Sequence, residues 1–267
     1  MNLWIREMKA HRKSLILWCI GIIAMVGASM SKYAGLSMSN SGASMNELMA
    51  DMPKSLQAMM GVGTFDLSKA SGYYGAIFIY LLLMATIHAA MLGANILSKE
   101  ERDKTAEFLL VKPISRSQML TYKLFAALVQ IVLFNLVMLV SSILFVNPYS
   151  HGESVNHDIM LLMIGMFFLQ LLFLGIGLAI AGASRHPKRA VSISTGILLL
   201  TFMLSIGIDI SGKIDGLKYL TPFKYFDAKH VMYGGGLDGL FIGLTALILA
   251  GSLILAYVGY NRRDLHV

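Results

Sequence analysis

IMLLMIGMFFLQLLFLGIGLAIAGA, residues 159–183, holds one polar side chain, Gln170, and no charge. A helix gains about 1.5 Å per residue, so this run is long enough to cross a hydrocarbon core of about 30 Å. Helices buried inside soluble domains rarely stay uncharged beyond about 10–14 residues. The pattern recurs at Ser14 to Met30, Tyr73 to Leu97, Leu124 to Val146, Ala190 to Ile208 and Gly239 to Tyr260. Six such runs in 267 residues, 56% of them hydrophobic and 14% charged, specify a single all-α, polytopic membrane domain.

The basic residues report topology. With the N-terminus inside, the inner side carries Arg6, Lys9, Arg12, Lys13, Lys99, Arg102, Lys104, Lys112, Arg116, Lys123, Arg185, Lys188, Arg189, Arg262 and Arg263, and the outer side seven lysines. Fifteen against seven places both termini in the cytoplasm. The net charge of +7 is spread among these loops and accompanies no nucleic-acid motif. Cys19 is the only cysteine, which excludes an intrachain disulfide.

Residues 1–13 place Met1, Trp4, Ile5 and Met8 opposite Asn2, Arg6, Lys9 and Lys13. That pattern predicts an amphipathic helix on the inner leaflet, and it argues against reading the first run as a cleaved signal peptide. The first outer loop, Ser31 to Gly72, keeps Met45, Leu48, Met49, Met52, Leu56, Met59 and Met60 at helical spacing across Pro53, which should break the segment. A methionine stripe of this kind suits adaptable packing or a membrane surface better than copper. The fifth loop, Asp209 to Asp238, interleaves Tyr219, Phe223, Tyr225, Phe226 and Tyr233 with lysines, which predicts an interfacial aromatic belt or, in a sharper form, a short re-entrant pair of helices. His151, Glu153, His157 and Asp158 are zinc-compatible by type but lack a helical His pair.

A chain so poor in charge concentrates it in KEERDKTAEFLLVKPISR, residues 99–116. If the second span continues as helix past Ser98, Glu100 and Lys104 form a favourable i,i+4 pair, while Asp103 and Glu107 repel each other. Pro113 should end the helix. A new one then starts with Ser115 as N-cap, Gln118 at N3, and Ile114 with Met119 as hydrophobic staple.

Glu100, Glu101, Arg102, Asp103, Thr105, Glu107, Leu109, Leu110, Pro113, Ile114, Ser115 and Arg116 resemble the acidic loop E-x-x-x-x-T-x-E-x-L-L-x-x-P-x-S-R of ABC-2 type permeases, the membrane subunits of ABC exporters. The basic N-terminus, the first outer loop with Pro53, Gly61 and Asp66 ahead of Gly72-Tyr73, and Thr221-Pro222-Phe223 extend the likeness over most of the chain. The resemblance implies a type V exporter-like fold and a coupling loop at residues 99–116 in which Glu100, Glu101, Arg102, Asp103, Thr105 and Glu107 touch a separate ATP-binding subunit. It implies two such subunits holding ATP and Mg, and two permeases, as a homodimer, in a bacterial plasma membrane. No G-x-x-x-x-G-K-[ST] occurs, since Gly212-Lys213 is followed by Ile214, so nucleotide chemistry belongs to another chain.

Within the spans the polar residues are His88, Asn95, Gln130, Asn135 and Gln170, besides hydroxyls. The amides suit interhelical hydrogen bonding, and Gln130, Asn135 and His88 are the candidates for a substrate pathway. Gly175, Ala179 and Ala183, Gly239 with Gly243, and Ala246 with Ala250 are spaced for close helix approach within one chain or between two. An uncharged, Met- and Phe-rich interior favours export of amphipathic peptides or hydrophobic antimicrobial or toxin molecules. Ion or small-drug efflux by the same architecture and an ATP-independent carrier remain the alternatives.

Overall fold

The computed structural model describes residues 3–38, 46–47, 49–62, 65–102, 115–150, 155–184, 187–211 and 215–262. Long helices make up the body: α1 Leu3–Met38, then α3 Ala70–Arg102, α4 Arg116–Val146, α5 Val155–Ala183, α6 Pro187–Ser211 and α7 Gly239–Arg262. A short α2, Lys54–Met60, precedes α3. All six long helices are long and apolar enough to cross a membrane, and they contain the six runs read from the sequence. No strand occurs among the described residues.

One boundary differs from the sequence reading. The surface helix of residues 1–13 and the span of residues 14–30 are a single helix of 36 residues. No proline or glycine interrupts Leu3 to Ile20, so nothing in the chain breaks it. Glu7 and His11, one turn apart on this helix, are buried, and Ile5 is exposed.

In lipid the tails are as apolar as the side chains, so helices are held by close packing and by hydrogen bonds. The central helix α5 packs most extensively on α3 and α7. Its meeting with α3 is backbone against backbone. A Cβ on Gly177 would lie 2.5 Å from the Ala90 carbonyl oxygen and 2.9 Å from the Ala94 nitrogen, and one on Gly93 would collide with the Leu174 carbonyl. Against α7, Gly182 faces the Ala256 backbone and Gly259 faces Gly182, while Gly175 receives Leu249 and Ser252. Of the small-residue sets noted in the sequence, Gly175 serves this intramolecular contact, and the Ala183 backbone borders it at Gly259. Ala183, Ala246 and Ala250 are exposed, and Gly239 and Gly243 meet nothing within 4 Å.

The loop end carries its own fittings. Pro53 caps α2, as its position suggests, and Gly61 ends that helix at φ 68°. Gly72 seats against the Asp66 carbonyl so closely that no side chain fits. Leu56, Met59 and Met60 of the methionine stripe face outward, and Met45 and Leu48 lie outside the described residues. The fifth loop corrects the aromatic-belt reading. Phe223, Tyr225 and Phe226 are buried, with Phe226 stacked on Phe168 and Tyr225 on Phe241, and only Tyr219 and Tyr233 are exposed. Residues 215–235 form short helical turns that plug the bundle end. Lys224 makes this possible by turning to Asp209 and Asp227, so the rings on either side can bury.

Replacing Gly177 with leucine should therefore drive α3 and α5 apart and cost about 1–3 kcal/mol. Gly243→Leu, in open space, should leave stability within about 0.5 kcal/mol. Thermal unfolding of both variants in the same detergent checks the contrast.

Candidate functional site

The charged segment joins two defined helix ends. Helix α3 continues past Ser98 to Arg102, so Glu100, Glu101 and Arg102 occupy its last turn. Asp103, Thr105 and Glu107 lie outside the described residues, as do Pro113 and Ile114. On the far side the expected capping box is present. Gln118 donates its backbone N–H to Ser115 Oγ at 3.2 Å, and Ser115 N–H donates to Gln118 Oε1 at 3.2 Å. Two backbone donors of the first turn are thereby satisfied, which fixes where the chain enters α4.

Behind these ends lies a polar cluster that the sequence reading missed. Lys123, counted there among the inner loop charges, is fully buried in α4. Its ammonium donates to the Ile96 carbonyl at 2.6 Å and lies 3.8 Å from Glu7 Oε1. The Glu7 carboxylate, 2% exposed, also stands 3.7 Å from Arg6 and 4.0 Å from His11 Nε2. Lys99 Nζ donates to the Ala10 carbonyl at 3.4 Å. An ammonium withdrawn from water must find a carboxylate or carbonyls, because an unpaired buried charge costs several kcal/mol. Lys123 therefore ties the first turns of α1, the last turns of α3 and the second turn of α4 into one frame. A signal for it existed: Met119, Ala126, Ala127 and Gln130 stand at i−4, i+3, i+4 and i+7 from Lys123, and all are buried.

The end of α7 joins the same frame. Asn261 donates through Nδ2 to Ser117 Oγ at 2.9 Å, and Arg116 donates to the Asn261 carbonyl at 3.4 Å. One turn deeper the hydroxyls of Thr121 and Tyr257 are 2.8 Å apart, and Tyr260 donates to Met119 Sδ. Of the two helices that flank the charged segment, α3 is thus tied to α1 and α4, and α4 to α1 and α7.

In the middle of the bundle the amides cross-link spans. Asn135 donates to the Ile131 carbonyl at 2.9 Å and to Gln170 Oε1, and Gln170 donates to the Ala85 carbonyl at 3.3 Å, so α4, α5 and α3 are joined. His88 stacks on Phe134 at 4.9 Å between centroids, with Trp18 at 5.7 Å. Gln130 is 1% exposed, and neither end of its amide has a hydrogen-bond partner among the described residues. The three pathway candidates therefore fall in the same bundle interior, and His88 Nδ1 and Asn135 Oδ1, like both ends of the Gln130 amide, are buried without a hydrogen-bond partner among the described residues. His157 is exposed and Asp158 half-buried at the start of α5, and their companions His151 and Glu153 lie outside the described residues.

Residues 1–265 match the family model described as ABC-2 family transporter protein. The chain belongs to that family. A search of curated proteins returned no match. As an ABC-2 permease it is a multi-pass membrane subunit of an ABC transporter, a transport component whose partner is an ATP-binding subunit. The capped, braced junction thus belongs to a permease of the family that its loop resembles.

In this ABC-2 permease Lys123→Met should lower stability by about 3–5 kcal/mol, because it takes a buried cationic partner from the buried Glu7. Glu7→Gln should cost less, since Lys123 keeps the Ile96 carbonyl. The double variant should lose clearly less than the sum of the two. Denaturation of the four proteins in one detergent, treated as a double-mutant cycle, measures the coupling.

Proposed function

We propose that this permease is the membrane half of an ATP-driven exporter, in which residues 99–116 dock on the ATP-binding subunit and the buried frame carries the resulting movement into the spans. The observation that carries the reading is the junction itself: a charged segment bounded by helix ends that Lys123, Glu7 and the Ser115 capping box hold in fixed relation. A push on Glu100, Glu101, Arg102, Asp103, Thr105 or Glu107 then moves α1, α3 and α4 together instead of bending a loose turn.

Two permeases and two ATP-binding subunits, the latter holding ATP and Mg, complete the assembly, with the permease pair as a homodimer. Exposed apolar rows on α1 and α7, such as Leu17 and Ile20 or Leu247 and Ile254, supply surface for lipid or for the second copy. Both termini face the cytoplasm of a bacterial cell. Removing buried Lys123 from the fifteen inner charges leaves fourteen against seven, which still favours that orientation. The cargo is an amphipathic peptide or a hydrophobic antimicrobial or toxin. Its support is the apolar interior, where polar capacity comes from amides such as Gln130 and Asn135 and from His88.

Isolation by affinity tag from the native membrane in mild detergent tests the docking. An ATP-binding protein should accompany the wild-type chain in equal stoichiometry and be lost when Glu100, Glu101 and Glu107 are replaced by lysine. Retention of the partner by that variant would remove the docking role from the segment.

A further inference from the structure

A cavity of about 360 Å³ lies at the opposite end of the bundle from the charged segment. Helix α2, the first turns of α3, the last turns of α6 and residues 223–229 enclose it. Its floor is aromatic: Phe78, Phe202, Phe223 and Phe226 are each at most 6% exposed. The volume falls at the lower end of the range of about 300–1,000 Å³ that small-molecule sites occupy. Apolar walls with a few converging polar groups are what such sites present.

The polar groups are unevenly matched. Lys224, only 12% exposed, donates to Asp209 and, at 3.0 Å, to Asp227. Burial pulls its ammonium pKa down, and the two carboxylates more than offset that, so it is held above the ordinary lysine value. Both acids of the cavity are therefore engaged by one cation. Lys54 and Lys229 line the same space with exposed side chains that form no ion pair among the described residues. Three ammoniums against two carboxylates leave one net positive charge over an apolar floor.

We propose that this cavity is a binding site for an amphiphilic monoanion, an apolar chain or ring seated among the four phenylalanines with its carboxylate between Lys54 and Lys229. A free amphiphile and the C-terminal residues of an apolar peptide share that chemistry. A dication would meet the two lysines, and a neutral alcohol would leave their charge unanswered. The site needs no nucleotide, and it stands whether or not the charged segment at the other end docks an ATPase.

Equilibrium binding of radiolabelled decanoate tests it, using the chain with any subunits that accompany it in phosphatidylcholine nanodiscs without nucleotide. Saturable binding is expected, with decanol and decyltrimethylammonium failing to compete. The double variant K54Q/K229Q, which alters two exposed side chains, should weaken it by about tenfold or more. Ala58→Trp, which projects into the space, should abolish it. Competition by an apolar peptide with a free C-terminus, but not by its amidated form, would make the peptide a source of the anion. Decanoate binding without peptide competition would make the ligand a free amphiphile. Absence of saturable binding of both probes, equal competition by decanol, or indifference to K54Q/K229Q and Ala58→Trp would overturn the proposal.

Discussion

A lysine ammonium sealed inside an apolar bundle is the constraint from which the organisation of the terminal end follows. Lys123 has no exposure, so its charge must be met within the protein. The Ile96 carbonyl and the Glu7 carboxylate meet it, and they sit on two other helices. Satisfying one charge thereby ties three helix ends together, and two of them, the end of α3 and the start of α4, flank the segment in which this chain concentrates its charge. The arrangement also explains the length of α1. A helix that stopped at the membrane surface would not bring Glu7 and His11 down beside α4.

Deeper in the bundle a different rule operates. Apolar side chains gain little by leaving lipid for one another, so α5 is held where backbones come close, at Gly93, Gly177, Gly182 and Gly259, and where amides bridge, at Asn135 and Gln170. Contacts of this kind are stiff along a helix pair. Helix α3 runs between the two ends: its first turns wall the aromatic cavity and its last turns receive Lys123.

Much of this was legible in the residues. Uncharged runs of about twenty residues leave a chain no soluble alternative, and the family likeness of residues 100–116 agrees with the match over residues 1–265. The N-terminus of α4 was readable in atomic detail because a capping box is local: Ser115 and Gln118 need only each other. What could not be read depends on distant partners. Lys123 sits eight residues past a cap and counts as a loop charge until Glu7, over a hundred positions away, is placed beside it. Phe223, Tyr225 and Phe226 read as an interfacial belt or a re-entrant pair of helices, because their actual neighbours, Phe168 and Phe241 for the rings and Asp209 for Lys224, lie elsewhere in the chain. The roles of Gln130, Asn135 and His88 likewise turn on their neighbours, since a lone amide in a span specifies no partner.

Hydrogen–deuterium exchange of the reconstituted transporter, with and without a bound non-hydrolysable ATP analogue, tests most directly whether the braced helix ends respond as one piece. Residues 3–14, 94–102 and 116–124 should change protection together when nucleotide binds, and the Glu7→Gln, Lys123→Met double variant should separate their responses. A change confined to residues 94–102, with α1 and the start of α4 unmoved, would contradict the shared frame and reduce the buried ion pair to a local anchor.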